Sequence, residues 1–358
     1  MFLATEELRL RYSRAMDIVI SHIAALQVIR QPYFPRYLAT AELCPSALPA
    51  HLPSPAELKE AHKTCGQLAG IEGDLGLLIS SKKGTHACAG ARPHVYSGTV
   101  PPGALVQLAP GIRCVSPLFL PLLVISKLTE VEMLMLLAEL MGLYSVANGE
   151  KQGLVQRDTP MATPEGYRAF LNAAGRPMWS AKLERLIGMA PVRAASPPEA
   201  QLYLRATARF ARGGYGLAGA ILNDEVELTE LAGAVPATKK RKPDLLVSPV
   251  HKDTSVCGAC IDYMGSEWHT SADAIKNDAI RRNELLAAGY ITFEIFKDQF
   301  ADIDYMDGLM RSVREAAGLP ARRIGRARAK KERSAREELW ARLSSVDVRA
   351  WTSREELR

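Results

Sequence analysis

Between Ser196 and Phe300 the chain runs through a succession of periodicities that limits the fold more than any other feature. A helical segment from Ser196 to about Arg212 ends at Gly213-Gly214-Tyr215-Gly216. These glycines read as the turn after the helix and not as a phosphate loop, since no strand precedes them and no Lys-Ser/Thr follows. Strand-like runs come next, at Leu222 to Leu228, Asp244 to Ser248 and Ala259 to Tyr263. A helix from Ser271 to Ala288, stopped by Gly289, leads to a last strand, Tyr290 to Phe296. The order αβββαβ predicts an α/β unit with a mixed sheet and helices over its faces. In such a unit the ends of neighbouring strands bring distant side chains together.

Two carboxylates interrupt these apolar strands. Asp244 opens Asp-Leu-Leu-Val after Pro243, and Asp262 lies within Cys260-Ile261-Asp262-Tyr263-Met264. Asp is depleted in strands. A buried, unpaired carboxylate is costly, so each needs a cation, a donor network or solvent. A divalent metal satisfies both at once. Mg²⁺ binds through few carboxylates and retains waters, and a bound water is a natural nucleophile for phosphodiester cleavage. The plainer reading of Asp244 is a strand-edge residue after proline.

The 358 residues, 47% of them apolar, suffice for more than one core, and the length favours two domains. The net charge of +6 leans only weakly toward polyanions; more telling are the run Lys239-Lys240-Arg241-Lys242 and a tail from Arg322 to Arg336. The run reads either as a solvated loop or as phosphate-binding charge set beside Asp244. The tail reads as an exposed, frayed helix or a non-specific phosphate contact. No segment has the form of a signal peptide or a membrane span, so a cytoplasmic address without membrane contact is expected. The six cysteines are scattered and read as reduced thiols. Cys257 and Cys260 have zinc-knuckle spacing but no second pair nearby.

Ahead of this unit, residues 1–146 read as an α+β domain, 147–195 as a helical linker and 306–358 as the basic helical tail. The segment to Arg30 reads as a lead-in to a short helix capped by Ser21. Runs at Leu75 to Ser81, Pro93 to Ser97, Ala104 to Leu108 and Ile112 to Val115 predict a small antiparallel sheet. Thr129-Glu130-Val131-Glu132 has the capping-box form ahead of a largely buried helix to Met141. Pro164 to Ala173 and Ser180 to Ile187 read as helical pieces of the linker.

Several motifs together resemble a known family. They are Pro243-Asp244-Leu245-Leu246, Ile261-Asp262-Tyr263-Met264-Gly265, Trp268-His269-Thr270, Asp278 with Arg281-Arg282-Asn283-Glu284-Leu285, and Ala288-Gly289-Tyr290-Ile291-Thr292. In order and spacing they resemble a bacterial domain family related to the very-short-patch repair endonucleases, within the PD-(D/E)XK superfamily. The resemblance covers roughly the last third before the tail and implies a restriction-endonuclease-like fold over residues 196–305. Ile20 to Leu26, His94 to Ser97 and Pro110 to Pro117 are similar, more loosely, to the AbiEi-type antitoxin regulators of toxin–antitoxin systems.

The resemblance implies that Asp244 and Asp262 hold Mg²⁺ for cleavage of DNA, with Glu199 as a third, helix-borne carboxylate. Ser196-Pro197-Pro198-Glu199 is also a capping-box pattern with Pro at the first helical position. The chain departs from the family where a glutamate is usual, at Asp262, and at Met264, where a lysine would orient the water and steady developing charge. His269 and Lys276 are the candidates to fill that role; a lone loop histidine is otherwise a hydrogen-bonded surface residue. Two functions follow: a Mg²⁺-dependent DNA endonuclease, or a DNA-binding regulator that does not cut, with a toxin or other regulatory partner.

Overall fold

The computed structural model describes residues 16–39, 41–71, 73–85, 88–147, 153–232, 235–249, 256–265 and 272–354. Among these residues the architecture is mixed α/β, with twelve α-helices and thirteen strands in four sheets.

The first sheet has the order β3-β2-β1-β5-β4, built from β1 (Ile18–Ile20), β2 (Leu75–Ile79), β3 (Ala91–Val95), β4 (Leu105–Ala109) and β5 (Ile112–Val115). The antiparallel expectation is corrected here: β1 runs parallel to β5, and β2 parallel to β3. The reason is the Ile-Val-Ile run, read as a lead-in to the helix. All three residues are buried, and a continuous apolar run suits a central strand covered on both faces. Ser21 then occupies the N-cap position of α1 (His22–Ile29) without capping it. Its hydroxyl instead meets His22 Nδ1 at 3.0 Å, and the His22 ring stacks on His94 with centroids 3.4 Å apart.

The predicted capping box forms at the start of α5 (Glu130–Leu140): Thr129 Oγ1 accepts from Glu132 N, and Glu132 Oε2 accepts from Thr129 N at 2.8 Å. Near the end of that helix Glu139 is buried against Arg30, which donates from Nε and Nη2 at 2.9 and 2.8 Å. The two helices read as linker pieces, α6 (Pro164–Ala173) and α7 (Ser180–Ile187), occur within the predicted bounds. Their Phe170, Leu171, Leu183 and Leu186 belong to the same apolar core as the first sheet.

That core continues into a second sheet of order β13-β12-β11-β8, formed by β8 (Ala220–Leu222), β11 (Leu245–Val247), β12 (Gly258–Met264) and β13 (Tyr290–Phe296). β8 pairs β11 and β11 pairs β12 antiparallel, whereas β12 and β13 are parallel. The parallel pair needs a crossover, supplied by α9 (Ala272–Ala287). The helix α8 (Pro197–Thr207) precedes the sheet and ends earlier than expected, in a 3-10 turn at Phe210–Arg212.

The run Leu222 to Leu228 is two strands, not one. Asn223 adopts φ +50, a left-handed conformation that stops a strand. The chain beyond it turns out as β9 (Val226–Ala232), which pairs with β10 (Val235–Arg241) in a separate antiparallel hairpin. After β13 come α11 (Ile303–Ala316) and α12 (Arg326–Ser344). The tail expected as a frayed helix is therefore anchored: Trp340 and Leu343 are buried, and each such side chain contributes about 1.5–3 kcal/mol relative to exposure.

Candidate functional site

Pairing register brings the two aspartates together. Leu245 opposes Ile261, which sets Asp244 against Asp262 one step on; Asp262 in turn opposes Glu294 of β13. On the other side Asn223 N donates to the Asp244 carbonyl at 3.2 Å. A polar row thus crosses the sheet at one level. Alternation along β12 places Ile261 in the main core and Cys260 in a smaller cluster with Leu246 and Leu285. Asp262 shares the face of Cys260, under α9.

The two carboxylates are locked reciprocally to each other's strand. Asp244 N donates to Asp262 Oδ1 at 3.1 Å, and Tyr263 N donates to Asp244 Oδ2 at 2.7 Å. Arg281, from the middle of α9, donates through Nη2 to Asp262 Oδ1 at 2.6 Å and to the Lys242 carbonyl at 2.9 Å. Asp244 Oδ1 and Asp262 Oδ2 accept no hydrogen bond from a described residue. Arg281 Nε is likewise buried without an acceptor. The site therefore holds two unspent acceptors beside one unspent cationic donor.

Its electrostatics are unfavourable to bare carboxylates. Burial pushes the Asp244 carboxyl well above the ordinary aspartate range, and the charges of Glu199 and Asp262 push it further. Burial raises Asp262 too, against the pull of Arg281, with Glu294 and Asp278 adding repulsion. Arg281 is the guanidinium bonded to the aspartate pair, while Arg282 meets Glu294 at 3.4 Å, and a divalent cation would offset the charge left on the two aspartates.

Glu199 is placed by α8 close enough to be felt by both aspartates, but both its oxygens are engaged. Oε1 accepts from Ser196 Oγ at 2.8 Å; Oε2 accepts from Ala195 N at 2.8 Å and Asn223 Nδ2 at 2.6 Å. Its side chain closes the helix cap and ties it to the end of β8. Burial nonetheless raises its pKa, with Asp262 contributing.

Met264 stands at the end of β12, opposite Phe296. Lys276 is exposed and lies five residues before Arg281, about 140° round the helix, so it faces away from the side that carries Arg281. His269 and its neighbour Trp268 lie outside the described residues. Arg281 is the residue that the sequence reading passed over, although it lies in a quoted motif. Its spacing of three from Asp278 and four from Leu285, which is buried, was the available signal.

The run Lys239 to Lys242 falls on and just after β10 and is paired within the molecule. Lys239 and Arg241 both meet Glu284 of α9, the latter through Nε at 2.6 Å. Lys240 and Lys242 both meet Glu225, at 2.7 and 3.1 Å, and hold that carboxyl down to about 2. Cys260 is buried and its thiol is pushed up to about 12, whereas Cys257 is exposed. Among the described residues no group of three or more His, Cys, Asp or Glu is disposed to hold a metal ion. What the geometry provides is a pair of aspartates.

No family model matches the chain, and no curated protein or solved structure matches it. No helix among the described residues is long and apolar enough to cross a membrane.

Proposed function

We propose that the chain is a nuclease-like protein that uses the Asp244–Asp262 pair to bind one divalent cation and hydrolyse phosphodiester bonds in DNA. The observation that carries this reading is the conjunction of two opposed, partly buried aspartates, each with an oxygen that no described donor meets, and the unspent Nε of Arg281 beside them. The helix–strand–strand–strand–helix–strand order and the 4-stranded mixed sheet agree with the fold implied by the family resemblance.

The donor set fits Mg²⁺, which takes one or two carboxylates and fills its other positions with water and substrate phosphate. When bound, the cation supplies Lewis-acid stabilisation and an acidified water. Asp244 and Asp262 fix its place because each is held by the other strand's main chain. Arg281 supplies the positive charge that Met264 does not, and its free donor suits a phosphoryl oxygen that gains charge in the transition state. Glu199 positions α8 against the sheet and adds to the local negative potential that favours cation entry.

Incubation of supercoiled plasmid and of linear duplexes with the protein in Mg²⁺ or Mn²⁺ tests the proposal. Nicking that requires the metal and vanishes in Asp244→Ala is the expected result. Absence of cleavage with both metals over varied DNA would refute it.

Two observations favour a second reading, a DNA-binding regulator that does not cut. Met264 provides no group to orient a nucleophile, and Arg281 already occupies one oxygen of Asp262. Salt-sensitive duplex binding without any metal-dependent cleavage, retained in Asp262→Ala, is its signature.

A further inference from the structure

An open cavity of about 570 Å³ lies between α11, the loop that follows it and α12, with Phe210 and Tyr215 on one wall. It is separate from the aspartate pair. Basic side chains lining it outnumber carboxylates six to three. The carboxylates are largely spent internally. Asp307 accepts from Tyr215 Oη at 2.8 Å and from Arg336 at 2.7 Å, and Glu332 forms a two-pronged pair with Arg322 at 2.8 and 2.9 Å.

Of the six, Arg333 is paired with Asp304 and Glu337 outside the cavity, whereas Arg314, Arg322 and Arg336 are held in place by their neighbours. The Arg322 guanidinium lies 3.3 Å from the Phe210 ring centre and that of Arg336 lies 4.5 Å from Tyr215. Arg336 is 8% exposed, and its Nε is buried with no acceptor. Among the described residues Arg314 donates to the main-chain carbonyls of Tyr215 and Pro320 and to no side chain, and burial together with the Arg322 charge lowers its pKa. Arg311 and Lys330 are exposed, and neither side chain pairs with a described residue. Met310, Leu319 and Ile324 complete the lining with apolar surface.

We infer that this cavity binds a phosphorylated anion of nucleotide size. Its volume falls in the range of small-ligand sites, planar guanidiniums match phosphate oxygens in pairs, and the apolar wall suits a base. The phosphate can come from a free nucleotide or from the end of a nucleic-acid strand, since both present the same chemistry.

Calorimetric titration of the full chain with pyrophosphate, with ATP and with a 5′-phosphorylated single-stranded oligonucleotide tests this inference. Binding of at least one probe is expected, with a loss of tenfold or more in Arg311→Glu/Lys330→Glu and in Arg314→Gln. The first variant alters two exposed side chains that pair with no described residue, so its fold should be retained, and circular dichroism checks this. Asp244→Asn should leave the affinity unchanged, which separates this cavity from the aspartate site. Binding of ATP identifies a free nucleotide as the source; binding of the oligonucleotide alone identifies a strand end. Failure of all three probes, or affinities equal within twofold across the variants, would overturn the inference.

Discussion

Arg281 Nη2 meets Asp262 Oδ1 at 2.6 Å while Asp244 N donates to the same oxygen from the neighbouring strand. One carboxylate oxygen is thereby saturated by a guanidinium and a main-chain amide, and the partner oxygen faces the site without a donor among the described residues. On the proposed function, Arg281 has two separable effects, neutralisation of Asp262 and donation to an incoming anion.

Arg281→Ala should therefore leave a divalent cation bound at least as tightly as before, because a competing positive charge is gone, yet cut the cleavage rate by 10²-fold or more. Arg281→Lys should restore part of the rate, since charge returns without the paired donors. Single-turnover cleavage alongside metal titration separates the two effects. A fall in metal affinity with unchanged rate would contradict the assignment.

The raised carboxyls at the site fix the sign of one pH effect. Asp244 holds its proton more tightly folded than unfolded, so its contribution favours the fold at low pH and is lost as pH rises from about 3.8 through the raised value. Between those values the slope reaches about 1.4 kcal/mol per pH unit. Asp244→Asn keeps an acceptor for Tyr263 N and removes the charge. Without metal, it should be more stable than the parent at pH 7 and no more stable at pH 3. Urea melts at the two pH values read this difference, and Mg²⁺ should narrow it at pH 7.

The stacked histidines act in the opposite sense. Burial, with the charges of Lys127 and Arg92, lowers His94 to about 4, and His22 is also held well below its usual value. Unfolding frees both rings, so stability is lost as pH falls from about 6.5 through 4. For His94 alone the loss is on the order of 3 kcal/mol. Imidazole resonances followed by NMR should show both rings neutral at pH 6; a ring titrating near 6.5 would contradict the packing.

The Arg30–Glu139 pair lies 5% and 1% exposed, with Val146 N as a further donor to Glu139. Removing one member strands a buried charge. Glu139→Ala should cost about 3–5 kcal/mol, measured by denaturant melts, whereas Glu130→Ala at the half-exposed pair with Arg185 should cost about 1 kcal/mol or less.

Local rules made much of this legible. The capping box at Thr129 and the strands around both aspartates follow from residues close in sequence, where pattern and turn chemistry decide. The first strand, Ile18–Ile20, was hidden because a short apolar run before a helix has no periodicity of its own. Its role as a central strand depends on β2 and β5, far along the chain. The break at Asn223 was missed because φ +50 is one option among many for Asn in isolation.

The candidate site divides in the same way. Asp244 and Asp262 announced themselves as charges in apolar strands. The engagement of Glu199 in its cap and of Lys239 to Lys242 with Glu284 and Glu225 emerged only with the hairpin and α9 in place. Arg281 was visible as a letter in a motif, but its partner depends on the packing of α9 on β12.

Divalent-cation binding by the Asp244–Asp262 pair is measured most directly by Mn²⁺ titration of the full chain, read by electron paramagnetic resonance. One ion should bind to the parent, and binding should fall at least tenfold in Asp244→Asn and in Asp262→Asn, with the fold intact. No bound Mn²⁺ at millimolar concentration, or equal binding in the parent and both variants, would contradict the claim.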